Sequence, residues 1–302
     1  MKNGQIWKDT DGNLIQAHGG CILYHRGRYY WYGENKDGKT DPQKHRIDVI
    51  GVSCYSSTDM VNWKNEGVVL PAVTDDPESM LSPDKVLERP KVLYNETTRQ
   101  FVMWFHADDA KYLSAMTGVA VADTPTGPFR FLGAKRPNVQ ESRDFTVFSD
   151  DDGKAYLLNS SNHNKTMNIN CLTGDYTDVD GMFVSVLTDQ EREAPAVVKH
   201  DGLYYMVSSG CTGWAPNAAL YATCPHIMGK WKLIDNPCVG EGARKTYGAQ
   251  SAYIFTVLGT DYLLLDHWNP QNLRESGYSI LPIVYQNGAM TIPWQDEWNG
   301  IR

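Results

Sequence analysis

The chain has almost no helical periodicity, no basic run, no long apolar stretch and few cysteines, and each shortage removes a class of protein. A membrane-spanning helix needs roughly 20 consecutive apolar residues, and no run in this sequence approaches that length. A formal net charge of −8 without a basic cluster argues against nucleic acid or an anionic membrane as partner. An acidic surface suits a neutral substrate better. The six cysteines (Cys21, Cys54, Cys171, Cys211, Cys224, Cys238) are dispersed and too few for a disulfide scaffold, so they read as ordinary thiols. No Cys-x-x-Cys or His-rich spacing suggests zinc, and neither a metal nor another cofactor is expected. No signal peptide is visible at Met1-Lys2-Asn3-Gly4. Localisation therefore stays open between a cytoplasmic chain and a secreted or periplasmic one whose leader has been removed.

What is present is aromatic and β-like. Aromatics make up 11% of the residues, with nine Trp and seventeen Tyr. Such rings suit the apolar faces of sugars, although all-β cores use the same residues. Strand-like runs and turn signals alternate throughout. Five times a polar residue precedes an apolar run, a turn and a second aromatic strand. These residues are His18, Glu88, Asp144, Glu193 and Gln250. A recurrence every 50 to 70 residues or so marks a blade array, and the fold class expected is an all-β, five-bladed β-propeller with an axial pocket. The whole chain, 1–302, reads as one domain, because a single blade cannot bury its apolar face alone. It is expected to act as a monomer. The last strand, near Met290-Thr291-Ile292, is expected to pair with one near Ile6-Trp7 and close the ring. The polar stretches Lys36 to Asp48 and Asp75 to Asp84 read as rim loops.

Leading residues of different blades would face one another across the pocket, which suits a pair of carboxyl groups working on a glycosidic bond. An inverting enzyme holds them ~6.5–9.5 Å apart and a retaining one ~5–5.5 Å apart. Glu193 and Glu88 are the best candidates. Each stands before a proline-containing strand start, Glu193-Ala194-Pro195 and Glu88-Arg89-Pro90, where proline would extend the chain and aim the side chain. The plain alternative is that Glu88 forms a structural ion pair with Arg89 or Arg143.

The segments Ala17-His18-Gly19-Gly20, Tyr30-Trp31-Tyr32-Gly33-Glu34, Glu88-Arg89-Pro90-Lys91-Val92 and Arg143-Asp144 occur in this order along the chain. They are followed by Asp150-Asp151-Asp152-Gly153-Lys154-Ala155-Tyr156, Arg192-Glu193-Ala194-Pro195 and Gly248-Ala249-Gln250-Ser251. The ordered set resembles glycoside hydrolase family 43, and within it the exo-β-1,3-galactanase (galactan 1,3-β-galactosidase) branch. The resemblance spans nearly the whole chain. It implies a five-bladed propeller, inverting hydrolysis and a β-1,3-galactan or galactooligosaccharide substrate.

By motif match it makes Glu193 the general acid and Glu88 the carboxylate that tunes it and contacts sugar. The family's usual aspartate base is missing at Ala17-His18-Gly19. The galactanase branch shares that absence and places a glutamine in the last blade facing the water, which matches Gln250. This amide could orient water through its oxygen, act as an iminol, or be only pocket wall. Glu34, Tyr112, Asp144, Asn164, Thr212 and Trp214 fall where the resemblance implies sugar contacts. Trp63, Trp104 and Trp231 lie in strand-like runs and read as core. Rival readings are a family-43 α-L-arabinofuranosidase or β-xylosidase, and a carbohydrate-binding propeller without turnover.

Overall fold

The computed structural model describes residues 1–301, and they fold almost entirely as antiparallel meanders. The first sheet is β1 (His18–His25), β2 (Arg28–Glu34), β3 (Gly51–Ser57) and β4 (Lys64–Pro71). The second is β5 (Val86–Asn95), β6 (Gln100–Asp108), β7 (Met116–Ala122) and β8 (Arg130–Lys135). The third is β9 (Phe145–Ser149), β10 (Ala155–Ser161), β11 (Thr166–Leu172) and β12 (Val179–Val186). The fourth is β13 (Arg192–His200), β14 (Leu203–Gly210), β15 (Leu220–Cys224) and β16 (Lys232–Leu233). After β17 (Cys238–Val239) comes a fifth sheet of β18 (Gln250–Val257), β19 (Thr260–His267) and β20 (Gly277–Pro282). Finally β21 (Val284–Gln286) and β22 (Ala289–Pro293) join β17 in a sixth.

The hairpins follow from their turn residues. Arg26-Gly27, Asp201-Gly202 and Leu258-Gly259 all carry positive φ at both positions, with Gly27 at 84°, Gly202 at 77° and Gly259 at 79°. Two positive φ values in a row match the right-handed twist of paired strands, and glycine accepts the second at no steric cost. The leading strands then pack side by side: β1 against β5 and β18, β5 against β9, β9 against β13, and β13 against β18. The architecture is an all-β propeller whose first strands surround a common centre.

Six sheets form, not the five expected from the sequence. The sixth is built from strands two to five residues long, without a polar leading residue. Its β17–β22 pair is parallel and joins Cys238 to Ile292, so no local repeat announces it. Ring closure also differs from expectation. β22 pairs with β21 and β17, while the N-terminal segment borders β20 through Gly4 N to Tyr278 O at 2.9 Å and Tyr278 N to Gln5 O at 3.1 Å. These bonds cover the outer edge of the fifth sheet, which would otherwise present unpaired backbone groups.

The core lies between sheets. Trp31, Trp63, Tyr55 and Tyr278 are fully buried at the seam of the first and fifth sheets, where Trp31 meets Trp63 edge-on at 5.4 Å. Trp104 and Trp231 are buried as well, so the three tryptophans read as core are core. All six cysteines are free thiols, and only Cys211 is exposed. Among the described residues no helix is long and apolar enough to cross a membrane.

Candidate active site

One local device aims the pocket residues. In β1, β5 and β13 the ladder slips just after the leading residue, between His18 and Cys21, Glu88 and Lys91, and Glu193 and Ala196. The next residue turns left-handed each time: Gly19 at φ 56°, Arg89 at 51° and Ala194 at 51°. A β-bulge of this kind turns a side chain out of the sheet's alternation. The sequence reading credited proline with that task. The bulge performs it, and for Arg89 and Ala194 the left-handed backbone costs on the order of 1–3 kcal/mol. At Gly19 a Cβ would stand 2.5 Å from Oε1 of Glu34 and would force that carboxylate to shift. Lys91, fully buried, braces the bulges by donating to Gly19 O at 2.6 Å and Arg89 O at 3.2 Å.

Glu193 sits at the start of β13. Its Oε1 accepts from Nε2 of Gln250 at 3.1 Å, and Asn164 Nδ2 stands 3.5 Å from Oε2. Burial raises its carboxyl and Asp144 adds to that, while Arg89, Cys211 and Gln250 pull the other way. The balance leaves it pushed up to about 7. A carboxyl of that kind is still about half protonated near neutrality.

Glu88 has the opposite setting. Oε1 accepts from the Tyr112 hydroxyl at 2.6 Å, and Oε2 lies 3.3 Å from Nδ1 of His106. Burial alone would raise this carboxyl, but the hydrogen bond and charge of His106, with Lys36 and Tyr112, outweigh it and hold Glu88 down. One pocket thus contains a carboxyl raised to about 7 and a carboxylate held well below its ordinary value, the kind of separation by which environments assign acid and base roles. The proposed structural pair of Glu88 with Arg89 or Arg143 does not form, since Arg89 binds Asp144 and Arg143 binds Glu141.

Arg89 is the hub that sequence reasoning missed. Nε meets Asp144 Oδ2 at 2.8 Å, Nη1 donates to Ser251 O at 3.1 Å, and Nη2 donates to Gln250 Oε1 at 2.6 Å. Its backbone N–H also donates to Glu34 Oε1 at 2.8 Å. Trp268, also missed, donates to the same Gln250 oxygen at 3.1 Å. Gln250 Nε2 then faces Glu193 and, at 2.9 Å, Ser209 Oγ. Both donors and both acceptor positions of the amide are in use.

These groups line a cavity of about 330 Å³ that includes Glu34, Glu88, Asp144, Glu193, Gln250, Tyr112 and Trp214. Trp214 meets Trp268 edge-on at 5.6 Å and forms an aromatic corner. The 36–48 loop supplies Lys36, Lys44, His45 and Arg46 to the wall, as a rim loop should. Lys36 binds Glu34 at 2.7 Å, and burial raises the Glu34 carboxyl despite that cation.

Two nominated residues stand apart. Asn164 does not line the cavity and reaches it only through Glu193, and Thr212 secures its own loop by donating to Ala215 O at 2.5 Å. His18 does not join the convergence either. It is buried, stacked on Tyr278 at 4.9 Å and 3.5 Å from Asp266. A larger groove of about 670 Å³ adjoins the site under the same loop. Local hydrogen bonds hold the carboxyls of its Asp41 and Asp84 below their ordinary value.

Comparison with known proteins accords with this chemistry. The family model for glycosyl hydrolases family 43 matches residues 22–279. A solved family-43 β-1,3-galactosidase with galactodeoxynojirimycin shares 38% identity and a TM-score of 0.94, covering 99% of this chain and 100% of its own. The exo-β-1,3-galactanase of Phanerochaete chrysosporium with galactose shares 35% identity and a TM-score of 0.88, over 97% of this chain and 66% of its own. An exo-β-1,3-galactanase from Clostridium thermocellum shares 34% identity and a TM-score of 0.88, over 100% and 68%. A curated xylan 1,3-β-xylosidase from Vibrio sp. is 23% identical over 82% of this chain, which spans about 50% of that protein. With a raised carboxyl and a charged carboxylate in one pocket, and with a family model matched across most of its length, this chain belongs to glycosyl hydrolases family 43.

Proposed function

We propose that the protein is an exo-acting, inverting glycoside hydrolase that releases galactose from β-1,3-galactan. The observation that carries this reading is the Glu193 carboxyl, pushed up to about 7 in the same cavity as the charged Glu88. General acid catalysis works best when the acid's pKa lies near the operating pH. The choice of galactose rests on what the similar solved proteins are named for, a β-1,3-galactosidase and two exo-β-1,3-galactanases.

In this reading Glu193 protonates the leaving oxygen, and Glu88 accepts from sugar hydroxyls and faces the positive charge of the oxocarbenium-like transition state. Gln250 orients the attacking water. Its bond from Trp268, 3.1 Å against 2.6 Å from Arg89, is the one that water shares or displaces. Trp214 and Trp268 give the sugar an apolar corner, and Glu34, Tyr112 and Asp144 complete the polar wall. The pocket is taken as axial, and the chain as one catalytic domain working as a monomer.

Incubation with β-1,3-linked galactooligosaccharides, followed by proton NMR, tests the reading. The first product should be α-galactose, shortening the chain one unit at a time. Initial β-galactose would mean a retaining path, and no release of galactose would remove the substrate assignment.

A further inference from the structure

Behind Glu88 stands a pair of groups that the hydrolytic scheme does not use. His106, on β6, is 1% exposed, and Asp108, two residues on, is fully buried. The bulge in β5 places Glu88 directly across from His106. Nδ1 of His106 lies 3.3 Å from Glu88 Oε2, and Nε2 lies 3.0 Å from Asp108 Oδ2. The other oxygen of Asp108 accepts backbone N–H bonds from Asp109 at 2.9 Å and Ala115 at 3.0 Å. A buried carboxylate on one side of the imidazole and a half-buried one on the other leave a single state that pairs both, the ring with both nitrogens protonated. Asp108 is the anchored end of the line, because its backbone donors hold it still.

We propose that His106 and Asp108 form a buried relay that keeps the Glu88 carboxylate charged and aimed into the pocket, as positioning residues for the reaction proposed above. The hydrogen bond from Tyr112 fixes one oxygen of Glu88, and the imidazole faces the other as an ion-pair partner at 3.3 Å. Burial would lower His106, but Asp108 and Glu88 together raise it to about 9. The other groups facing the relay are few. Asp144 approaches from the segment before β9, where its polar atom lies within 4.8 Å of those of Glu88 and His106. The Tyr112 ring packs 6.0 Å from that of His106, while Glu34 and Lys36 act on Glu88 from the end of β2. With both ring nitrogens committed to carboxylates, His106 serves here as a donor.

The test uses the full chain labelled with 15N-histidine, the His106 signals being assigned by their loss in His106→Gln. Both ring nitrogens should remain protonated at pH 7 and titrate near 9. In Asp108→Asn the titration should fall by at least about one pH unit, roughly tenfold in proton affinity. In parallel, kcat/KM on a β-1,3-galactooligosaccharide is followed against pH for wild type, Asp108→Asn and His106→Gln, with thermal melts to confirm folding. Loss of the imidazolium in His106→Gln should move the acidic limb upward by about one pH unit, because Glu88 then takes a proton more readily, whereas Asp108→Asn, whose ring is still protonated at acidic pH, should keep its limb near the wild-type position. Activity lost at low pH should return as pH rises. A neutral His106 ring at pH 7 in the wild type would overturn the relay, as would a His106→Gln acidic limb that superimposes on the wild type after scaling. The ring titration needs no turnover, so it decides the relay even if galactan proves not to be the substrate.

Discussion

The Arg89 guanidinium donates to the side-chain oxygen of Gln250 at 2.6 Å. Arginine and the Trp268 indole can only donate, so the atom they share must be the amide oxygen, and the amide's orientation follows. Nε2 must then face Glu193 and Ser209. The same contacts disfavour an iminol form, whose O–H would point at two donors with no acceptor to receive it. Gln250 therefore works as a polarised amide, and one of its tasks is to hold Glu193 in place.

Substitution at Gln250 separates those tasks. Gln250→Ala should lower kcat/KM by about 10²-fold, near the lower end of what acid–base assistance is worth. Gln250→Glu should also lose activity, since the new carboxylate pairs with Arg89 and no longer donates to Glu193. Its like charge would raise Glu193 further and move the alkaline limb of the pH–rate profile upward. Wild-type rates in the Ala variant would reduce Gln250 to pocket wall. An added acidic limb in the Glu variant without loss of rate would instead show that a carboxylate works there as a base.

Arg89→Lys should not behave as a conservative change. Lysine offers one compact ammonium where the guanidinium spans Asp144, Ser251 and Gln250, so at least one of these partners is left unpaired. The expected cost is about 1–3 kcal/mol of stability, together with a fall in kcat larger than any change in KM. Denaturant unfolding and steady-state kinetics on the same preparation check both. A variant equal to wild type in both measurements would show that the hub is dispensable.

The residues that sequence reasoning found and missed divide along a physical line. Hairpins were legible because their turns carry a local signature, as at Asp201-Gly202. Glu88, Glu193 and Gln250 were legible as polar residues leading apolar strands. Arg89 was misread because it adjoins Glu88, yet at the bulge its guanidinium turns to Asp144 and Gln250, and its partner Ser251 lies 162 residues away. His106 was hidden by the bulge. Lys91 pairs with Trp104, so an unbroken ladder would set Glu88 against Ala107, and the slip brings His106 there instead. A one-residue shift changes which face meets which, and no local pattern in β5 reports it. The sixth sheet escaped because its parallel pair joins Cys238 to Ile292, with the whole of the fifth sheet between them in sequence.

Trp214 gives a prediction about binding alone. Its side chain is 41% exposed and packs edge-on against Trp268, so it contributes little to the core. Trp214→Ala should raise KM by about tenfold while kcat stays within about twofold, the pattern of lost uniform binding. Melting temperature should hardly change. A collapse of kcat would instead place the indole against the reacting centre.

Glu193 couples catalysis to stability. Its ordinary carboxyl value, about 4.3 in an unfolded chain, rises to about 7 in the folded protein. Between those two values the native state holds a proton that the unfolded state has released, so stability must fall as pH rises through that window. Above about 7 the folded protein carries the full cost of a half-buried carboxylate near Asp144. Glu193→Gln removes the titration and keeps the shape, so the variant should be the more stable protein at pH 8, by on the order of 1–3 kcal/mol, and nearly equal to wild type at pH 4. Its turnover on unactivated galactan should meanwhile fall by about 10²–10⁴-fold. Urea unfolding of both proteins at the two pH values decides the matter. A gap between them that does not widen with pH would mean that Glu193 titrates normally, and a different carboxyl would have to supply the proton.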